Sequence, residues 1–313
     1  MDESVYQAAW EELQASVVTF NGEPVGTVAA RDPQTQALNY DQVFTRDFAV
    51  SAIAFLLNGE YRIVKNFLRQ LLDLQSREKQ FDCFKPGQGM MPVSFRIEKD
   101  GAGKESVNPD FGEKAIGKVA PVDSVFWWLY VLRMYIHFSG DRSFAREEDV
   151  QQGIRLILDL SLTSRFDMFP TLLVPDGSFM IDRRMGVYGY PLDIQALFYT
   201  ALLSSRELLE DNQTNEPYRK AVYDRLGHLV YHIRKYYWLD FDQLNEMYRY
   251  DVEGYGANTK NAFNIYPETI PEWLMEWLPR EGGYFAGNLG PPRMDVRVFT
   301  SGNLLAITSS LAS

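Results

Sequence analysis

Three short stretches of the sequence set carboxylates among arginines and large rings. Tyr40-Asp41-Gln42-Val43-Phe44-Thr45-Arg46-Asp47-Phe48 places an Arg-Asp pair where a loop becomes a helical pattern. Pro121-Val122-Asp123-Ser124-Val125-Phe126-Trp127-Trp128 places an acid at the mouth of the most apolar segment, and Ser178-Phe179-Met180-Ile181-Asp182-Arg183-Arg184-Met185-Gly186 places one in a Gly/Pro-rich loop. Asp is a common helix N-cap, and capping alone accounts for Asp47 and Asp123 taken one at a time. Three such acids beside rings and guanidinium groups fit a pocket that hydrogen-bonds a polyhydroxylated ligand and stacks on its apolar faces, which is a sugar site. The three carboxylates are expected to converge on one cavity. Other chemistries find little support. There is no glycine loop for phosphate and no Cys/His pairing. His228 and His232, spaced i, i+4, could share a helix face, but with no third ligand motif they read as a surface or core-edge pair, so no metal or other cofactor is expected. Cys83 reads as an inert small residue.

Helices must position these residues. Trp10, Leu13 and Val17 recur at helical spacing within 5–18. Segments 48–57 and 61–74 form a helical hairpin broken at Asn58-Gly59, with Ile63, Phe67, Leu71 and Leu74 on one stripe. Segment 122–135 is apolar nearly all round and must be buried. Helical patterns follow at 154–162, 192–209, 218–237 and 303–311. Between them lie long segments rich in turn formers, 82–117 and 169–191, of the kind that carries function. No Pro- or Ser-rich linker interrupts the chain, so 1–313 reads as one domain. The rhythm of helix, turn, helix and long loop predicts an all-α toroid of helical hairpins rather than a βαβ sheet.

Composition narrows the partners. Against 31 Lys and Arg stand 42 Asp and Glu in 313 residues, a net charge of −11. With no basic cluster, nucleic acid and anionic membrane are excluded as main partners, because the driving attraction is reversed in sign. A content of 46% hydrophobic and 23% charged residues suits a soluble globular protein with a large core. The lone Cys forms no internal disulfide, the acidic N-terminal segment (Asp2, Glu3, Glu11, Glu12) is no ordinary signal peptide, and no stretch is long and apolar enough for a membrane span. These features predict a cytoplasmic protein.

The stretches Gly26-Thr27-Val28-Ala29-Ala30, 39–48, Pro121-Val122-Asp123-Ser124 with Trp127-Trp128, 165–174 and 180–195 closely resemble the alkaline/neutral invertase family of glycoside hydrolases. The resemblance implies an (α/α)6 toroid that hydrolyses sucrose to glucose and fructose with inversion, in the cytoplasm and without a metal. Inversion needs one carboxyl group to protonate the leaving oxygen and another to activate water. The resemblance makes Asp182 the candidate general acid, with Asp193 as its rival, although the family often has Glu at that second position. Arg183 and Arg184 must point away from Asp182 or bind sugar hydroxyls, because adjacent positive charge lowers the pKa of an acid whose role needs it raised. Arg46 and Asp47 look like the sugar-binding Arg-Asp pair of glucoamylase-like toroids and Asp123 like a sugar-contacting acid, and Trp127, Arg183 and Tyr188 join them as substrate-binding candidates. Family members usually continue well beyond the equivalent of Ser313, with a Trp-Pro-Glu motif that would supply the second carboxylate. That motif does not occur here. Glu272 and Glu276 read as surface or rim residues rather than substitutes. Roughly eight or nine of the twelve helices of such a ring can be counted. An incomplete ring, C-terminally truncated and poor in activity, is therefore expected, and its uncovered apolar surface would favour a homo-oligomer. The alternative is a non-catalytic sugar-binding or assembly protein derived from the same toroid.

Overall fold

The computed structural model describes residues 3–28, 41–77, 87–113, 122–162, 167–174, 179–182, 185–252, 269–290 and 294–312, with backbone alone at 167–168, 180–182, 185–186 and 249–252. Two compact units are present. One comprises Met1–Leu162 with Ser204–Arg219, the other Thr163–Leu203 with Lys220–Ser313.

In the first unit, α1 (Glu3–Ala15) buries no residue. Its expected apolar stripe reduces to Trp10, whose ring lies 5.4 Å from that of Phe55. The expected continuation to Val17 is corrected: the chain turns into a hairpin of β1 (Val17–Phe20) and β2 (Glu23–Thr27). Asn21 and Gly22 both take positive φ (51° and 81°), as a tight hairpin turn requires. β3 (Val43–Phe44) leads into α2 (Thr45–Leu57), which Gly59 at φ 77° separates from α3 (Tyr61–Leu74). On α3, Ile63, Phe67 and Leu71 are buried as the spacing predicts, and Leu74 is half-buried. Segment 82–117, expected as irregular loop, instead carries the hairpin of β4 (Ser94–Lys99) and β5 (Glu105–Asp110), joined to β3 in the order β3-β4-β5.

α4 (Ser124–Ser139) lies against α2 and α3. It is buried on nearly every side, including Val125 to Leu129, Val131, Leu132 and Tyr135, and stops at Gly140 in the left-handed conformation. Its Trp128 is fully buried and spends its one polar atom on the carbonyl of Leu68 at 2.9 Å. Phe48, Phe67 and Phe95 are likewise fully buried, with ring centroids 4.3 Å apart for Phe48–Phe67 and 6.4 Å for Phe67–Phe95. Truncating a core Phe of this kind costs about 3–5 kcal/mol. α5 (Arg142–Ala145) and α6 (Glu148–Ser161) complete the consecutive part. Segment 204–219 joins this part through a buried amide among other contacts: Gln151 donates to the carbonyls of Ala145 (2.7 Å) and Leu208 (2.9 Å) and accepts from Asn215 Nδ2 (2.9 Å), while Arg133 pairs with Glu207 and Arg155 with Asn215.

The second unit opens with the hairpins β6–β7 (Asp167–Met168, Thr171–Leu172) and β8–β9 (Met180–Asp182, Met185–Gly186). α7 (Leu192–Leu208) and α8 (Glu216–Tyr236) match their predicted spans closely and contribute to both units. β10 (Trp238–Leu239), α9 (Phe241–Val252), α10 (Trp273–Trp277), β11 (Tyr284–Leu289), β12 (Met294–Val298) and α11 (Thr300–Thr308) follow. The sheet β10-β11-β12 packs Tyr284, Ala286, Met294 and Val296 with Leu244, Met247 and Leu274 into one core. Neither α9 nor this sheet was expected from the sequence. Eleven helices, and sheets of at most three strands, among the described residues make this an all-α structure with accessory hairpins, as the helix-turn-helix rhythm predicts.

Candidate active site

Arg46 and Asp47 owe their position to the junction of a strand with a helix. Val43 and Phe44 pair with Phe95 and Ser94. Thr45 N donates to the Val93 carbonyl (2.9 Å), and its hydroxyl to that of Pro92 (2.8 Å). Gln42, buried behind the strand, accepts from the Ser94 hydroxyl at 2.7 Å. β2 presses on the other side: a Cβ on Gly26, at φ 153°, would stand 2.5 Å from Val43 Cγ1. The chain has almost no freedom up to Thr45, and the next two residues are exposed in the first turn of α2.

The capping expectation is corrected at both acids. Phe44 holds the N-cap position of α2, with Asp47 inside the first turn. Asp123 does hold the N-cap position of α4, but its side chain makes no capping hydrogen bond. Its Oδ2 instead accepts from Arg46 Nη1 at 3.1 Å. The Asp123 side chain is 4% exposed and that of Arg46 46% exposed. A buried anion thus aims a solvent-facing cation, and an arginine fork presents donors in fixed geometry to hydroxyl or carboxylate oxygens. Trp127 is only 8% exposed, its ring edge-on to Tyr130, which leaves little surface for a sugar to cover.

In the second unit, Asp182 closes the strand β8, its backbone opposite Met185 across the hairpin. Its side chain, Arg183 and Arg184 lie outside the described residues, as does Cys83. Tyr188 is 51% exposed. Asp193 is buried in the first turn of α7, where the helix dipole favours an acid. Gly302 of α11 makes room there: a Cβ on it would come within 2.8 Å of the Asp193 amide nitrogen and 3.0 Å of its Oδ2. Two residues on, the fully buried Gln195 grips β7 with both ends of its amide, donating to the Leu172 carbonyl (2.8 Å) and accepting from the Leu172 N–H (2.9 Å). Burial first, and then the neighbouring Tyr188 phenol, raises the pKa of Tyr190.

The structure therefore joins Arg46 to Asp123 and seats Asp47 beside them in one unit, while Asp182, Tyr188 and Asp193 belong to the other. Glu272 and Glu276 are exposed, as expected of rim residues. His228 is exposed against the Phe169 ring, and burial lowers the pKa of His232, which lies 4.7 Å from the Tyr236 ring. The described residues contain no group of three or more His, Cys, Asp and Glu side chains suited to a metal. Sequence reasoning missed Gln42, Thr45 and Gln195 as supports. A signal existed for Gln195, a lone amide among the apolar residues of α7, because a buried amide demands partners.

Comparison with known proteins is consistent at the level of sequence. The family model described as alkaline and neutral invertase matches residues 9–313. Alkaline/neutral invertase C, mitochondrial, of Arabidopsis thaliana is 55% identical over 316 residues, covering 99% of this chain and 48% of the relative. Neutral/alkaline invertase 1, mitochondrial, of Oryza sativa subsp. japonica is 56% identical, covering 97% and 50%. Cytosolic invertase 1 of the same plant is 52% identical, covering 97% and 55%. The chain spans about half the length of these curated relatives. Among solved structures, an unsaturated glucuronyl hydrolase from Bacillus sp. GL1 aligns with a TM-score of 0.46 at 12% identity, covering 75% of this chain and 57% of that one, a likeness too loose to fix a shared fold.

Proposed function

We propose a sucrose-hydrolysing function from one premise: the chain belongs to the alkaline and neutral invertase family. The match across residues 9–313 carries the proposal. Because the relatives are about twice as long, the activity is assigned to the protein at its full natural length. The reaction is an inverting hydrolysis. A protonated carboxyl group gives its proton to the glycosidic oxygen as the C–O bond breaks, while a second carboxylate takes a proton from a water that attacks the anomeric carbon from the opposite face. Asp182 is assigned the first role, with Asp193 as the rival, and no cofactor is involved. Arg46 and Asp47 are assigned to sugar hydroxyls, with Asp123 among the sugar-site residues through its hold on Arg46, supported by the half-exposed arginine side chain that the buried carboxylate orients. The exposed ring of Tyr188 suits an apolar sugar face.

A cytoplasmic location is part of the proposal. It is supported by the acidic composition and by a relative named cytosolic, while others are named mitochondrial or chloroplastic. Among the described residues no helix is long and apolar enough to cross a membrane. The test is a sucrose-hydrolysis assay run beside a sucrose-binding titration. Turnover to equimolar glucose and fructose supports the reading, binding without turnover favours the non-catalytic sugar-binding alternative, and the absence of both turnover and binding overturns the two readings together.

A further inference from the structure

The segment Tyr188-Gly189-Tyr190, just ahead of α7, is fixed to an unusual degree for a loop. Gly189 forms both hydrogen bonds of a bridge with Val174 on one side, N–H to carbonyl at 3.1 Å and carbonyl from N–H at 2.8 Å. On the other side β11 bridges the segment at Pro191, opposite Asn288, and the side chain of that Asn288, a hundred residues later than Tyr188, takes up the neighbouring groups. Its Oδ1 accepts from the Tyr190 N–H at 2.8 Å, and its Nδ2 donates to the Tyr188 carbonyl at 2.9 Å. The fully buried Tyr237 adds its hydroxyl to the Tyr190 carbonyl at 2.6 Å. Five consecutive backbone polar groups are thereby satisfied. Gly189 sits at φ 119°, and a Cβ there would stand 3.0 Å from Gly290 Cα and 3.2 Å from Asn288 Oδ1, so the close approach admits glycine alone. β11 is itself anchored by a second two-pronged amide: Asn303 of α11 accepts from the Phe285 N–H and donates to its carbonyl, both at 3.0 Å. Against this rigid backing Tyr188 turns a ring that is 51% exposed. A loop spends such hydrogen bonding on an exposed aromatic when the ring must stand in one place.

The structure assigns Asn288 as the positioning residue that holds Tyr188 for contact with the sugar. The sugar in that statement rests on the proposed function; the positioning does not. An amide reaches both flanking peptides at once, and no other side chain of similar size carries a donor and an acceptor so spaced. Truncation to Ala frees the Tyr188 carbonyl and the Tyr190 N–H and lets the ring swing.

The test is steady-state kinetics on sucrose for N288A, Y188A and the double variant, with amide exchange of Tyr190 read alongside. KM is expected to rise about tenfold in each single variant, equivalent to ~1.4 kcal/mol, with kcat within about twofold. The double variant should be no worse than Y188A, because Asn288 acts through that ring. N288D keeps the acceptor for Tyr190 but not the donor for Tyr188, so it should retain Tyr190 protection and still raise KM. Effects of N288A and Y188A that multiply, or an N288A enzyme with unchanged KM and lowered kcat, overturn the assignment. If the wild-type protein does not act on sucrose, the functional reading fails on its own. The exchange measurement then decides the positioning: lost Tyr190 protection in N288A sustains it, and retained protection overturns it.

Discussion

Replacing either member of the Arg46–Asp123 pair disturbs the same charged contact, yet the two replacements should differ in cost. Asp123 is 4% exposed and Arg46 46% exposed. In Asp123→Asn the buried group loses its charge, keeps an oxygen that can accept from Nη1, and leaves the guanidinium to water. The expected loss is about 0.5–1 kcal/mol, the ordinary net worth of one hydrogen bond. In Arg46→Ala a buried carboxylate loses the donor that faces it at 3.1 Å. Leaving a buried charged acceptor under-satisfied costs about 1–3 kcal/mol, here nearer ~2 because half of the arginine already sits in water, where its Coulomb share is screened. For a domain of this size a kilocalorie corresponds to a Tm shift of roughly 2–4 °C. Arg46→Ala should therefore lower Tm by about 4–8 °C and Asp123→Asn by about 1–4 °C. Thermal unfolding of both variants at pH 7 and moderate salt is the assay. A larger drop for Asp123→Asn would refute the reasoning, since it would mean that the carboxylate is stabilised by groups other than the cation it orients.

Gly26→Ala should lower stability by about 1–3 kcal/mol and weaken sugar binding without touching any sugar contact, because its Cβ drives into Val43 three residues before Arg46; unchanged Tm and affinity would show that β2 does not brace the junction. The Asp141 carboxyl is held far below the usual carboxylate range, chiefly by the Lys65 ammonium at 2.7 Å and then by the Ser143 hydroxyl. A depressed folded pKa contributes stability that is present above the unfolded value of about 4 and is lost as pH falls toward the folded one. Lys65→Met should accordingly lose most relative to wild type at pH 5–7, with the gap closing on acidification below about pH 4. Unfolding midpoints across that range check it, and a gap that widens in acid contradicts it.

Much of this was legible in the sequence because helices announce themselves through local period. Segment 61–74 matched α3 at both ends, since its stripe and the Asn58-Gly59 break are both short-range signals. Segment 122–135 was rightly read as buried for the same reason. What was missed depends on distant partners. The hairpin β4–β5 hides in a polar stretch, where the alternating apolar positions number only two on each strand, Phe95 and Ile97 opposite Pro109 and Val107, among Glu98, Lys99, Glu105 and Asn108. β1–β2 carries a turn signal at Asn21-Gly22, but the helical spacing of Trp10 and Leu13 extends to Val17 and masks it. At the site, acids beside rings were visible, but their roles were not. Whether Asp123 caps a helix or meets Arg46, seventy-seven residues away, is decided by tertiary geometry alone. Asn288 likewise carries no sequence signal, and the lone amide of Gln195 signals only a need for partners, until both are seen to meet backbone from other segments.

Asp182 is proposed as the general acid of an inverting sucrose hydrolysis. The most direct test of that role is the initial rate of glucose release from sucrose by the protein at full natural length, compared among wild type, Asp182→Asn and Asp193→Asn. Loss of the proton donor is worth about 10²–10⁴ in rate, so Asp182→Asn should fall at least about a hundredfold while still binding sucrose, and Asp193→Asn should fall much less. An Asp182→Asn protein that releases glucose at near the wild-type rate would contradict the account.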